Sequence, residues 1–145
     1  MKFHYLVRAL IISGDFVLLA REIGADNTFL PGGHVEPGES AEKALKRELE
    51  EETGHGARII GFLGAVEATW KRVEMLNSEL NLIFNIELSG AKYDKPVSSK
   101  ENHLEFIWVK RTEVKSYNLL PEPMVNLVNT DLNEITAFWG TKMGK

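Results

Sequence analysis

A chain of 145 residues with 43% apolar and 26% charged side chains can both bury one core and solvate it, so a single domain over residues 1–145 is expected. A net charge of −4, without a run of five or six basic residues, argues against bulk nucleic acid as a partner but not against a small phosphate-bearing ligand. Cysteine is absent, which removes disulfides, thiolate metal sites and cysteine nucleophiles.

From the N-terminus, the apolar residues of Met1 to Arg8 are interrupted by His4 and Arg8, with no small-residue cleavage site after them. No stretch approaches the roughly 18 apolar residues of a membrane span, so the expected compartment is the cytoplasm. Phe3 to Ile12 and Phe16 to Ala20 are β-rich runs joined by Ser13-Gly14-Asp15, the composition of a hairpin. After a loop over 22–28, Thr28-Phe29-Leu30 leads into the turn-rich Pro31-Gly32-Gly33, and Pro37 and Gly38 continue that loop. Ser40 suits an N-cap, Glu42 the positive end of the helix dipole, and Gly54 a C-cap; between them Ala41, Ala44, Leu45 and Leu49 form a buried stripe. Ala57 to Trp70 and Glu79 to Leu88 are expected strands, connected by the polar segment 71–78. A polar loop, 89–102, precedes the strand Leu104 to Val109. The segment Leu119 to Pro123 opens a final helix of about fifteen residues, with proline near its first turn. Strands, helix, strands and helix in one domain predict an α/β (α+β) fold, a mixed sheet flanked by helices.

The helix ending at Gly54 carries the chemistry. At about 100° per residue, Glu48, Glu51 and Glu52 fall within an arc of roughly 100°. Like charges at these spacings destabilise an isolated helix, and a compensating cation is the simplest reason to place them together. Clustered carboxylates suit Mg²⁺ or Mn²⁺, which prefer oxygen ligands. A charged, solvated helix face is the ordinary explanation of such a run. Glu48, however, shares its helical angle with Ala41, Ala44 and Leu45, and a carboxylate at the margin of a buried stripe needs a partner. Glu50 points away and reads as surface. Arg47, four residues before Glu51, is placed to orient the carboxylates by charge-assisted hydrogen bonds.

The segment from Gly33 to His55 resembles the signature box of the Nudix hydrolases, with Gly33, Glu39, Arg47, Glu48, Leu49, Glu51, Glu52 and Gly54 at the specified places. Eight of nine specified positions match; the last, normally aliphatic, is His55. The resemblance implies the Nudix αβα sandwich and hydrolysis of a nucleoside diphosphate linked to another moiety. It also implies Mg²⁺ or Mn²⁺ bound by Glu48, Glu51, Glu52 and the carbonyl of Gly32. Glu39 is expected to hold loop against helix. Nudix enzymes differ in which glutamate takes the proton from water. Within the box that points to Glu48 or Glu51, with Arg47 supporting them, and outside it to Glu101 ahead of Glu105, just before the strand ending in Trp108 and Val109. His34, His55 and His103 are not needed as ligands.

Arg8, Arg21, Lys71 and Arg72 are candidate phosphate contacts, though each is also explained as a surface cation. Trp70, Phe84 and Trp108 can stack on a base, or simply fill the core. The proline and tyrosine that mark the ADP-ribose and dinucleoside polyphosphate subtypes are missing from Ala68 to Val73, and the coenzyme A signature is missing from Leu19 to Gly24. A small nucleotide-like diphosphate, with a nucleoside triphosphate favoured by size, is the expected substrate; a homodimer is left open. The rival reading is a noncatalytic Nudix-type module that senses a nucleotide. It is disfavoured because no box glutamate is missing.

Overall fold

The computed structural model describes residues 1–134 and Ala137. Strand β1 (Lys2–Leu10) leads into the short β2 (Ile12–Ser13), and β3 (Phe16–Glu22) and β4 (Gly32–His34) precede helix α1 (Ala41–Thr53). The long strands β5 (Ala57–Arg72) and β6 (Met75–Leu88) follow, then β7 (Leu104–Lys110) and helix α2 (Pro123–Val128). One sheet has the order β4-β1-β6-β5 and is mixed: β1 runs parallel to β6, and the other pairs are antiparallel. A second, antiparallel sheet has the order β2-β3-β7.

Period-two alternation gives the mixed sheet two different faces. Val7 and Ala9 of β1 and Leu82, Phe84 and Ile86 of β6 pack with Ala41, Ala44, Leu45 and Leu49 of α1. The opposite face of the same strands carries His4 and Arg8, and Asn77, Glu79 and Asn81. Lower on that face Leu10 and Ile83 join Leu19, Leu30 and the α2 residues Met124 and Val128 in a second core. Helices therefore lie on both sides of the sheets, as the αβα expectation requires.

Three expectations needed correction. The first apolar run is not one strand, because the chain changes sheets at Ile11, whose carbonyl accepts from Leu18 N at 3.0 Å. The expected connector 71–78 is mostly strand: β5 and β6 pair down to Arg72↔Met75 around a two-residue turn at Val73 and Glu74, with φ of 49° and 64°. Two positive φ angles mark a tight hairpin turn, and the usual Asn-Gly or Asp-Gly signal is missing there. The final helix is also much shorter than fifteen residues. Its end is competed away: Asn129 Nδ2 and Thr130 Oγ1 donate to the carbonyls of Val125 and Asn126, and Arg111 donates to those of Val128 and Thr130. A 3-10 turn follows at Leu132–Glu134, and any part of the expected helix at 135 and 136 lies outside the described residues.

Candidate active site

Helix α1 is fixed at both ends. The Ser40 hydroxyl accepts from Lys43 N at 3.3 Å, and Gly54 takes a left-handed φ of 75° with its N–H on Glu50 O. The buried face includes Glu52 and Thr53 besides the apolar stripe. Glu52 is only 7% exposed, and among the described residues its Oε1 has no hydrogen-bond partner. Burial chiefly, then the nearby charge of Glu48, pushes its carboxyl up to about 8; Arg8 opposes that rise, while Glu101 and Glu51 add to it.

Arg47 spreads across the other carboxylates. Its Nε donates to Glu39 Oε2 at 2.7 Å, NH1 to Glu48 Oε1 at 2.9 Å and to Glu51 Oε2 at 3.4 Å, and NH2 to Glu39 Oε1 and the carbonyl of His34. Glu39 also accepts from Glu36 N, so one guanidinium ties the glycine loop to the helix. The Arg47 hydrogen bond holds the Glu39 carboxyl below its ordinary range. Glycine at 33 leaves room for the Glu48 carboxylate: a Cβ there would lie 2.5 Å from Glu48 Cδ and would push that side chain out of its place. The carboxylate of Glu48 thus rests on the backbone of the loop. The flanking bonds, Ala9 N to Pro31 O and Val35 N to Tyr5 O, place the β1–β4 hydrogen-bonded pairs at odd-numbered residues. By the alternation of an antiparallel ladder, the carbonyl of Gly32 turns away from β1 at the sheet edge.

The polar face of β1 and β6 opens into a cleft of about 750 Å³, lined among others by Arg8, Phe29, Trp70, Glu79, Leu120 and Pro121. Arg8 Nε donates to Asn81 Oδ1 at 3.2 Å and NH1 to Leu30 O, with the guanidinium over the Phe29 ring. Burial lowers the Arg8 pKa, countered by the charges of Glu79, Glu52 and Glu48. Arg8 therefore senses both the α1 glutamates and the cleft. Asn81 Nδ2 donates to Glu79 Oε2 at 2.6 Å and to Val66 O, and Trp70 Nε1 donates to Glu79 Oε1 at 2.8 Å. His4 stacks on Trp70 with ring centroids 5.7 Å apart and hydrogen-bonds Asn77 and His34.

The NUDIX domain family model matches residues 2–128. The chain belongs to the Nudix family. Over 135 residues it is 27% identical to the nucleoside triphosphatase NudI of Klebsiella pneumoniae, covering 88% of this chain and 96% of that protein. It is 53% identical to a putative 8-oxo-dGTP diphosphatase of Bacillus subtilis, but over only 38 residues, spanning about a quarter of either chain. Among solved structures, a Nudix hydrolase from Nitrosomonas europaea aligns with a TM-score of 0.64 at 25% identity, over 88% of this chain and 86% of that one. A MutT Nudix hydrolase from Burkholderia pseudomallei gives 0.67 at 21% identity, over 94% of this chain and all of that one, a likeness of fold.

In this Nudix chain the residues named from sequence divide into groups. Arg47 joins Glu48 and Glu51, both charges act on Glu52, and the Glu48 carboxylate lies against Gly33, the β4 neighbour of Gly32. Glu101 joins them: Lys100 N donates to Glu52 O at 2.8 Å, the Ser99 hydroxyl brackets Glu101, and the Glu101 charge acts on Glu52. Glu105 is instead paired with Arg21, whose Nε donates to it at 2.9 Å across the β3–β7 ladder. Arg21 is thereby engaged away from the cleft, and Lys71 and Arg72 are exposed near the tip of β5, so of the four candidate phosphate cations only Arg8 lines it. Phe84 and Trp108 pack with the α1 core, which leaves Trp70 as the aromatic of the three that lines the cleft. Sequence reasoning missed Glu79 and Asn81; their signal was a polar residue at alternate positions of an otherwise apolar strand.

Oxygen donors alone make up the glutamate cluster, and Glu52 Oε1 is buried without a partner, so the donor set fits a hard divalent cation. Among the described residues no three acidic or histidine side chains are yet gathered around one point, since Arg47 holds Glu48 and Glu51.

Proposed function

We propose that the protein hydrolyses a diphosphate linkage in a small nucleotide, a nucleoside triphosphate being the favoured class. Mg²⁺ or Mn²⁺ is held by Glu48, Glu51, Glu52 and the Gly32 carbonyl. The observation that carries this is the buried, unpartnered Oε1 of Glu52, surrounded by the charges of Glu48, Glu51 and Glu101. When bound, the cation supplies positive charge to the diphosphate oxygens and acidifies a water molecule. Arg47 keeps the carboxylates in place through its bonds to Glu39, Glu48 and Glu51 and does not itself touch the substrate. Arg8 faces the substrate at the boundary between the glutamates and the cleft and offers a fixed cation to phosphate. Water attacks one phosphorus, the bond from that phosphorus to the bridging oxygen breaks, and Glu101 receives the water's proton. The relative from Klebsiella pneumoniae, a nucleoside triphosphatase matched over most of both chains, supports the substrate class.

The test is a panel of nucleoside triphosphates, ADP-ribose, dinucleoside polyphosphates and sugar nucleotides with Mg²⁺ and with Mn²⁺, following release of phosphate or pyrophosphate. Turnover that needs the metal and favours triphosphates is expected. Turnover unchanged in EDTA would sink the proposal. Tight nucleotide binding without turnover would favour the sensing module.

A further inference from the structure

The acidic side chain of Glu79 sits in the cleft where a positively charged one would suit a phosphate. Among the described residues lining that cleft, Arg8 alone is cationic, while Glu22, Glu79 and Glu122 are acidic. The moiety that fits here is therefore the uncharged end of the substrate, and it must bring hydrogen-bond donors.

Glu79 is oriented rather than free. Trp70 Nε1 donates to one carboxylate oxygen at 2.8 Å and Asn81 Nδ2 to the other at 2.6 Å. A carboxylate has about four lone-pair sites, so each oxygen keeps one to accept from a ligand. Asn81, fully buried, is itself held by Arg8 Nε and Val66 O, which fixes the direction in which Glu79 points. The Trp70 ring is braced on one side by His4, itself bonded to Asn77 and His34, and at 40% exposure it offers its remaining surface to the cleft. An aromatic platform beside a two-oxygen acceptor describes a site for a planar ring with two adjacent N–H donors.

We propose that the cleft selects a guanine base, stacked on Trp70, with its N1–H and 2-amino group donating to the two oxygens of Glu79. Guanine alone among the common bases presents those two donors side by side. Adenine and cytosine offer one amino donor next to a ring nitrogen whose lone pair would face the carboxylate. Uracil and thymine offer one N–H between two carbonyl oxygens. Hypoxanthine keeps N1–H but lacks the 2-amino group, so it isolates the second bond. This rests on the proposed nucleotide chemistry of the same site, and it makes Glu79 a specificity-determining residue.

The experiment is calorimetric binding of GMP, IMP, AMP, CMP and UMP with Mg²⁺ present, since monophosphates have no diphosphate bond to cleave. One charge-assisted hydrogen bond corresponds to about tenfold or more in affinity, so GMP should bind at least about tenfold tighter than IMP, and tighter than AMP, CMP and UMP. Glu79→Gln should bring GMP and IMP to within about threefold, whereas Trp70→Ala, which removes the stacking platform together with one of the two bonds that orient Glu79, should weaken both. Equal binding of GMP and IMP to the wild-type protein, or binding of neither, overturns the proposal, and this comparison needs no variant to fold. A GMP preference without turnover of any triphosphate would leave the base assignment standing and remove the hydrolase reading.

Discussion

The two ends of the Arg8 side chain's surroundings differ in one respect: how well the acidic groups are satisfied. Toward α1, Glu52 has a buried oxygen with no partner, and its carboxyl is pushed up to about 8 by burial and by Glu48. Toward the cleft, each oxygen of Glu79 has a donor, and each polar atom of Asn81 is bonded. The first region is short of positive charge and awaits a ligand that supplies it. The second is already built, and a ligand finds it preorganised.

The largest expected effect falls on the unsatisfied region. Glu52→Gln removes the ionisable oxygen at its centre and should lower turnover by about 10³-fold or more in Mg²⁺, with the circular dichroism spectrum unchanged. Near-wild-type activity would mean that the orphaned oxygen has nothing to do with the metal. Next is Glu101, placed beside Glu52 by the Lys100 N to Glu52 O bond. Glu101→Gln should lower kcat by about 10²-fold while leaving metal affinity nearly unchanged, the pattern of a general base. Glu105→Gln should be milder, because Glu105 is already committed to Arg21. Equal, near-wild-type turnover in both variants would take the 89–103 loop out of the mechanism.

The contrast is sharpest in stability, where the two regions should respond with opposite sign. A carboxyl with a raised folded-state pKa holds a proton that the unfolded chain has lost, so stability falls as pH rises from 4.5 to about 8 and levels above it. That span corresponds to at most about 5 kcal/mol. In metal-free protein Glu52→Gln should therefore be close to wild type near pH 4.5 and more stable at pH 8.5, read from urea unfolding. Added Mg²⁺ should raise the wild-type Tm more at pH 8.5 than at pH 5, since the cation replaces the proton. Asn81→Ala, in the satisfied region, should instead destabilise by about 2–3 kcal/mol at every pH, because it strands donors and acceptors in a buried network. If both variants destabilise alike, the distinction between the regions is false.

Why one region could be read from the sequence and the other not follows from contact range. Glu48, Glu51, Glu52 and Arg47 lie within six residues on one helix, and helical spacing alone brings them together. Gly33, in β4, and Glu39, in the loop after it, lie just before that helix. The cleft joins residues far apart: Arg8 to Asn81 and His4 to Asn77 span 73 positions each, through a parallel β1–β6 pairing that no local pattern announces. Extension of β5 and β6 through Val73 and Glu74 placed Trp70 opposite Asn77, whereas a loop there would have left Trp70 at a strand end. The Glu101 loop is intermediate, since its acidity was visible but not its return to the end of α1. The engagement of Arg21 by Glu105 was not legible either, because that partner lies on a different strand.

The smallest effect is expected at that last pair, and it tests whether charge alone makes a site. Arg21 and Glu105 are oppositely charged and bonded through both Nε and NH2, yet their side chains are 32% and 39% exposed. Water screens such a pair, and ordering two long side chains offsets part of the attraction. Arg21→Ala should therefore change stability by no more than about 1 kcal/mol and kcat/KM by less than about twofold, with the small stability change fading at high salt. A loss of tenfold or more in kcat/KM would place Arg21 on the substrate. It would also show that Glu105 releases it when nucleotide binds, so that the boundary of the active site extends across the β3–β7 sheet.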